Sequence, residues 1–293
     1  MELYQLKAFA AVAEHGNVTR AAEALFTSQP AVSAQIKALE QTFGVALFNR
    51  TPAGMTLTEP GHKLLGHPRA TLAQARATED LAKHLRDGTA GQLRIGLNDA
   101  GPRLRVDVLS RALLADHPEI SLDFTNTTSG DVLAGVRRYD FDAGFCEGPV
   151  KDPAVAAVKL ADVDLCIVLP VGWHAEDWHE LAQYPWVFTS PGCSYNGELS
   201  RIAKSQGIKP QKQFRLDHDS TSLTMVREGL AVSMVDRNFA QPFLDAGQLA
   251  VWPGYEGRIP LSAIYLAKRH AEPPITAFLA AVTRVFEDQP IGA

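Results

Sequence analysis

The chain has 293 residues, 46% of them hydrophobic and 21% charged, with a formal net charge of −5, which supports about two to three packed domains and excludes a disordered or fibrous chain. No run of 18 apolar residues occurs, and the opening MELYQLKAFAAVAEHG lacks the basic flank, apolar stretch and cleavage site of a signal peptide. A cytoplasmic protein without a membrane span is expected. Cys146, Cys166 and Cys193 are too few and too far apart for a disulfide framework or a zinc cluster. Residues 1–90 hold 9 Lys+Arg and 8 Asp+Glu, net +1, so any nucleic-acid role there rests on where charges sit and on oligomerisation for affinity.

In chain order, Leu3, Leu6, Phe9, Ala10 and Ala13 give an amphipathic helix over 3–14, ended by Gly16 as a left-handed cap. Asn17 or Thr19 can cap a second helix with Ala21, Ala22 and Leu25 inward, and the tight connection Phe26-Thr27-Ser28 follows. Val32, Ile36, Leu39 and Phe43 then recur on one face of a helix over about 29–42, with Ser28 as N-cap, Pro30 in the first turn and Gly44 as the stop. The opposite face, Pro30, Ser33, Ala34, Lys37, Ala38 and Gln41, is small or polar. A short helix, a tight turn and a helix with hydrogen-bonding side chains at its exposed start describe a helix-turn-helix DNA reader, although any small helix pair shares the periodicity. Val45–Phe48 and Met55–Leu57 flank Asn49-Arg50-Thr51-Pro52-Ala53-Gly54 and predict a hairpin, the wing of a winged helix, with Arg50 placed for phosphate or the minor groove.

Leu6, Phe9, Ala21, Ala22, Leu25, Ser28, Gln29, Pro30, Ala31, Ser33, Leu39, Glu40, Gly44, Leu47, Phe48, Arg50 and Thr58…Gly61 occur in an order that resembles the N-terminal domain of LysR-type bacterial transcriptional regulators. The resemblance implies a winged helix-turn-helix over 1–58 and a dimerising linker helix with hinge over 59–90. It also implies a two-lobed, periplasmic-binding-protein-like α/β effector domain over 91–293. Lobe I would be 91–161 with 267–293, and lobe II 162–266. Implied partners are operator DNA, a small-molecule effector, further copies in a homodimer or homotetramer, and RNA polymerase. The candidate DNA-contacting residues are Thr27, Ser28, Gln29, Pro30, Ser33, Gln35, Lys37, Arg50 and Thr51. Position 34, often a longer polar residue in the family, is Ala34 here, so base reading leans on Gln29, Ser33, Gln35 and Lys37.

Thr58 as N-cap, Glu59 and Pro60 open a helix of roughly thirty residues carrying Leu64, Leu65, Leu72, Ala75, Leu81 and Leu85, whose length suits pairing with a copy of itself. Pro68 falls inside it and predicts a kink or a break. Asp87-Gly88-Thr89-Ala90-Gly91 reads as a hinge. Beyond it the pattern alternates. Strands are expected at Leu93–Leu97, Ile120–Phe124, Phe141–Cys146, Asp164–Leu169, Trp186–Ser190, Gln213–Asp217, Ala231–Val235 and Leu261–Ala267. Helices are expected near 102–116, 130–138, 197–206, 220–228 and 274–287, which argues for α/β with mainly parallel sheets.

Ligands of open α/β sheets bind beyond the carboxyl ends of strands. Three such junctions are small and polar: Asn98-Asp99-Ala100-Gly101, Asn126-Thr127-Thr128-Ser129-Gly130, and Pro191-Gly192-Cys193-Ser194-Tyr195-Asn196. The effector candidates are Asn98, Asp99, Gly101, Thr127, Thr128, Ser129, Cys193, Ser194, Tyr195 and Asn196, with Phe145 as an apolar wall or as core. Hydroxyls and free N–H groups there suit a small organic acid, and Asp99 favours one that also carries an amine, an amino-acid-like compound. Each residue can equally cap its own helix. Cys193, in a loop before a helix, supports an alternative redox-sensing regulator; a solute-binding module with no DNA role is a third reading. Asp217-His218-Asp219, His174 and His179 fit no metal pattern, and Gly-x-Ser-x-Gly, P-loop and Gly-x-Gly-x-x-Gly signatures do not occur. No cofactor and no enzymatic activity are expected.

Overall fold

The structure, a computed structural model, describes residues 1–51, 54–87, 91–98, 102–216 and 219–287. The expected hinge residues Gly88–Ala90, the site candidates Asp99 and Gly101, and Pro52, Ala53, Asp217 and His218 lie outside the described residues. The chain divides into two compact units, Met1–Gly91 with Arg138–Asp140, and Gln92–Arg137 with Phe141–Ala293. Among the described residues no helix is long and apolar enough to cross a membrane.

In the first unit α1 (Leu3–His15) ends at Gly16, whose φ of 62° is the left-handed conformation glycine adopts without strain. Of the two candidate caps for α2 (Val18–Ala24), Asn17 is the one used: its Oδ1 accepts from Thr19 N at 2.8 Å and Arg20 N at 3.2 Å. The helix closes with paired carbonyl contacts, Phe26 N to Glu23 O at 3.1 Å and Thr27 N to Ala22 O at 3.0 Å. That closure puts Phe26 at φ 51°, a left-handed conformation costing a non-glycine residue about 1–2 kcal/mol. Next, α3 (Gln29–Phe43) starts at Ser28, whose Oγ accepts from Ala31 N at 3.3 Å, and stops at Gly44 with φ 72°. Val32, Ile36 and Leu39 are buried as the periodicity requires, together with Leu6, Phe9, Val12, Ala21, Ala22 and Leu47. Phe9, fully buried, meets Phe48 edge to face at 5.4 Å; burying such a side chain contributes about 1.5–3 kcal/mol.

The hairpin strands are β1 (Phe48–Thr51) and β2 (Gly54–Leu57), antiparallel, with Arg50 opposite Met55. The first strand therefore starts three residues later than the apolar run Val45–Phe48 predicts. Ahead of it Glu40 Oε1 accepts from Leu47 N at 2.7 Å and takes the donor a longer strand would have used; it also accepts from Phe48 N, inside the strand, at 3.3 Å. Thr58 caps α4 (Glu59–Leu64) through Gly61 N at 3.1 Å and donates its hydroxyl to Ala46 O at 2.7 Å. The expected single long helix is two: α5 (Gly66–Asp87) follows after Leu65. The break lies ahead of Pro68 because proline cannot donate to the carbonyl four residues back, here Leu64, the last residue of α4. Pro68 thus sits in the first turn of α5, where a missing N–H is tolerated.

The second unit contains β3 (Gly91–Leu97), α6 (Val106–Asp116), β4 (Ile120–Asn126), α7 (Ser129–Arg138), β5 (Ala143–Glu147), β6 (Val155–Pro170) and α8 (Trp178–Leu181). After them come β7 (Pro185–Phe188), α9 (Ser194–Gln206), β8 (Gln211–Arg215), α10 (Asp219–Arg227), β9 (Ser233–Asp236), α11 (Arg237–Asp245), β10 (Leu249–Leu266) and α12 (Pro273–Glu287). Six strands form one sheet in the order β4-β3-β5-β10-β6-β9, and β7 pairs with β8 in parallel. The sheet is mixed rather than mainly parallel: β10 runs antiparallel to both β5 and β6, and β6 antiparallel to β9. Two long strands account for this, because β6 and β10 pair along their lengths, from Leu266↔Val155 to Leu249↔Pro170. One contiguous core gathers Leu93, Ile95, Leu109, Leu113, Phe145, Leu261 and Phe278 together with Ile167, Trp186, Leu199 and Met234. Phe145 is fully buried, edge to face with Phe278 at 5.9 Å, so it belongs to the core under α12 and does not wall a cleft.

Candidate functional site

On α3 the buried stripe of Val32, Ile36 and Leu39 leaves the other face to solvent: Gln29, Pro30, Ala34 and Lys37 are exposed, and Ser33 and Gln35 half-buried. Thr27 and Ser28 are exposed in the turn before it. Ser28 uses one acceptor site of its hydroxyl on the cap, so it positions the helix start and keeps its donor proton and one lone pair for a ligand. Exposed Arg50 stands on β1, and Thr51 Oγ1 donates to Gly54 O at 3.1 Å, which stiffens the hairpin tip. The hairpin root is fixed by Met55 N to Gly16 O at 2.7 Å; Gly54, at φ 129°, is required there because a Cβ would collide with Gly16 O. Capped helix, exposed amide, hydroxyl and ammonium groups, and an arginine on a pinned hairpin can meet phosphates and base edges together.

In the second unit the loops after β4 and before α9 touch. Gly130 N donates to Gly192 O at 2.8 Å, Glu147 N donates to Ser129 Oγ at 3.1 Å, and Ser194 Oγ donates to Glu147 O. Gly192 allows this approach, since a Cβ there would collide with Thr128 Oγ1. Thr128 largely serves its own helix, accepting from Asp131 N at 3.2 Å and donating to Asp131 Oδ2 at 2.7 Å; Thr127 Oγ1 joins the same carboxylate at 3.3 Å. Ser129 is 6% exposed and Tyr195 5%, while Cys193 and Asn196 are half-buried. Asn98 represents the first junction among the described residues.

Two groups escaped the sequence reading. One is the ion cluster of Arg103 with Glu147 at 2.9 Å and with Asp236, which links the segment after β3 to the ends of β5 and β9; all three side chains are at most 13% exposed. A basic residue directly after a small-residue junction is the only signal the sequence offers for it. The other is Thr189, whose buried Oγ1, like Oδ1 of the candidate Asn98, has no hydrogen-bond partner among the described residues. Each lies one residue past the carboxyl end of a strand, Asn98 after β3 and Thr189 after β7. An unsatisfied buried polar atom costs about 1–3 kcal/mol, which a ligand at that place would recover.

Burial pushes the thiols of Cys146 and Cys166 up to about 11, Cys146 lying with its Sγ 3.7 Å from Ser129 O. Neither is a thiolate near neutral pH, so a redox switch through Cys193 is not favoured.

Residues 3–62 match the model of the bacterial regulatory helix-turn-helix protein, lysR family, and residues 86–287 that of the LysR substrate binding domain. The chain is similar to the Hca operon transcriptional activator HcaR of Escherichia coli (strain K12), 31% identical over 96% of this chain and 97% of that protein. It is 27% identical to the HTH-type transcriptional regulator TcbR of Pseudomonas sp. (strain P51), over 98% of this chain and 100% of the relative. The crystal structure of full-length CbnR complexed with its target DNA superposes with a TM-score of 0.57 at 26% identity, covering 97% of this chain and 99% of that one.

Proposed function

Because the chain belongs to the LysR family, as a DNA-binding transcriptional regulator with an effector-binding domain, we propose that it reads operator DNA through α3 and senses a small organic acid or amino-acid-like compound. The DNA reading rests on the exposed face of α3. Gln29, Ser33, Gln35 and Lys37 would meet base edges, Thr27, Ser28, Pro30 and Thr51 the backbone, and Arg50 phosphate or the minor groove. CbnR is the precedent for a related chain seated on its target DNA. Within this reading the winged helix-turn-helix covers 1–58, the linker 59–90 and the effector domain 91–293, with lobes meeting at 161. The regulator is cytoplasmic and acts as a dimer or pair of dimers, for which the 22-residue helix α5 is the support. Gln29→Ala tests this in a gel shift: loss on the operator much larger than on random duplex is expected, and equal loss on both would refute base reading by Gln29.

For the effector, the supporting observations are two buried oxygens, each one residue past a strand end, that lack a hydrogen-bond partner among the described residues, and separately a buried arginine held by two buried carboxylates. A zwitterion suits that set: its carboxylate would approach Arg103 and the α-helix starts at Ser129 and Ser194, and its amine Asn98, Glu147 or Asp236. A ligand that bridges the loops after β4 and before α9 would bias the closed arrangement and so the placement of the DNA-binding heads. Thermal-shift screening of the full chain against small organic acids and amino acids is the test, since a ligand of the folded state must raise Tm. A panel in which neither class moves Tm at millimolar concentration would sink the effector proposal and leave the DNA reading untouched.

A further inference from the structure

We propose that Phe26 is a DNA-contacting residue, its ring packing on a thymine methyl group next to the bases read by α3; the inference rests on the reading of α3 as the recognition helix. The paired hydrogen bonds that close α2 place residue 26 in the left-handed conformation, φ 51°. Glycine and asparagine suit that position, and an aromatic residue is disfavoured there. A bulky apolar side chain in a strained turn normally repays its cost by burial, yet Phe26 is 98% exposed. Among the described residues of the first unit the other large exposed apolar side chains, Met1, Leu3, Tyr4 and Val45, lie between 37% and 62% exposed. Neither local conformation nor the fold's own core accounts for Phe26.

Its place in the chain is the second observation. The next residues, Thr27, Ser28, Gln29 and Pro30, are all exposed and run straight into the first turn of α3. The start of a recognition helix is the part that enters the major groove. Phe26 thus precedes by three residues in sequence the first of the groups proposed to meet base edges, Gln29, and the large apolar feature of the major groove is the thymine 5-methyl.

The test uses the full chain and a duplex selected by the wild-type protein from a randomised library. Phe26→Asn keeps the turn and relieves its strain, so Tm should hold or rise. Affinity for the selected duplex should fall about 5- to 20-fold, with less than about 2-fold change on random duplex and an unaltered salt dependence. Replacing thymines one at a time by deoxyuridine should identify a position that costs the wild type about 3- to 10-fold and costs Phe26→Asn nothing further. Wild-type affinity in Phe26→Asn, with Gln29→Ala impaired, would overturn the inference alone; if Gln29→Ala also binds normally, the recognition-helix reading falls with it. A drop in oligomeric mass for Phe26→Asn, with no thymine-methyl coupling, would overturn it in favour of a contact between copies.

Discussion

The two units handle polarity in opposite ways. Among the described residues of the first, Gln5 is the one buried polar side chain, and its Oε1 serves α1 by accepting from Glu2 N at 2.9 Å. Every residue proposed to meet DNA stands at the surface on short, capped elements. The second unit draws Asp142, Glu147 and Asp236 to at most 6% exposure and surrounds them with arginines. A rigid external polyanion can be read by side chains left in water, because the partner brings its own geometry. A small molecule offers little area, so its sensor must withdraw polar groups from water beforehand and balance them internally.

That contrast can be broken most severely at Asp142. Its carboxylate accepts from Arg94 N at 2.9 Å, Arg94 Nε at 3.0 Å, Arg94 Nη2 at 3.1 Å and Arg269 Nη1 at 2.9 Å. Asp142→Ala should cost about 3–5 kcal/mol, read by urea unfolding with tryptophan fluorescence. All four tryptophans, Trp173, Trp178, Trp186 and Trp252, lie in the second unit, so the signal reports that unit alone. Burial pushes the Asp142 carboxyl up, but the hydrogen bonds and charge of Arg94, then of Arg269, outweigh it and hold the group below its ordinary value. A carboxyl depressed on folding stabilises above its unfolded value, about 3.9, and that stability drains away as pH falls through the folded one. The wild type should therefore lose stability below about pH 4, and Asp142→Asn should show a flatter acid limb.

A smaller effect is expected at Gly192, where a methyl group would push against Thr128 and part the two loops. Gly192→Ala should cost about 1–3 kcal/mol in the same tryptophan-reported transition and abolish any Tm rise with effector. In the other unit Asn17→Ala should remove about 1 kcal/mol, visible in helix circular dichroism and silent in tryptophan fluorescence. Movement of both signals would show that the two units do not unfold separately. Smallest of all for stability, Arg50→Ala should leave Tm within about 0.5 kcal/mol equivalent while lowering the slope of log affinity against log salt by about 0.9.

Local chemistry was legible wherever one residue decides it. Gly16, Ser28, Gly44 and Thr58 mark helix ends in the sequence and occupy them in the structure. The elements that misled are those decided at long range. Val155–Leu160, Val-Ala-Ala-Val-Lys-Leu, is apolar but carries no turn signal separating it from the expected strand at Asp164–Leu169, and it is the start of one long strand paired with β10. Pro253 and Gly254 argue against a strand, and the structure keeps them in β10 by shifting register between Val251 and Glu256. Helix α11 carries Pro242 inside it, which hid it from a pattern reading. At the candidate sites, junctions 126–130 and 191–196 were found from composition, but Arg103, Glu147 and Asp236 are far apart in sequence and converge only through the sheet order.

The ladder between β6 and β10 has a second irregularity: Leu261 pairs with Ala161 and Ser262 with Lys159, so Leu160 is an extra residue with no partner across the ladder. A bulge of this kind bends and twists its strand and interrupts regular bonding. The two long strands are thus interrupted twice, here and between Val251 and Glu256. Amide hydrogens around Leu160 should consequently exchange with solvent sooner than those of Leu165 and Cys166, which pair with both β9 and β10. The protection profile of this one ribbon would then locate, to within a few residues, where the effector domain flexes.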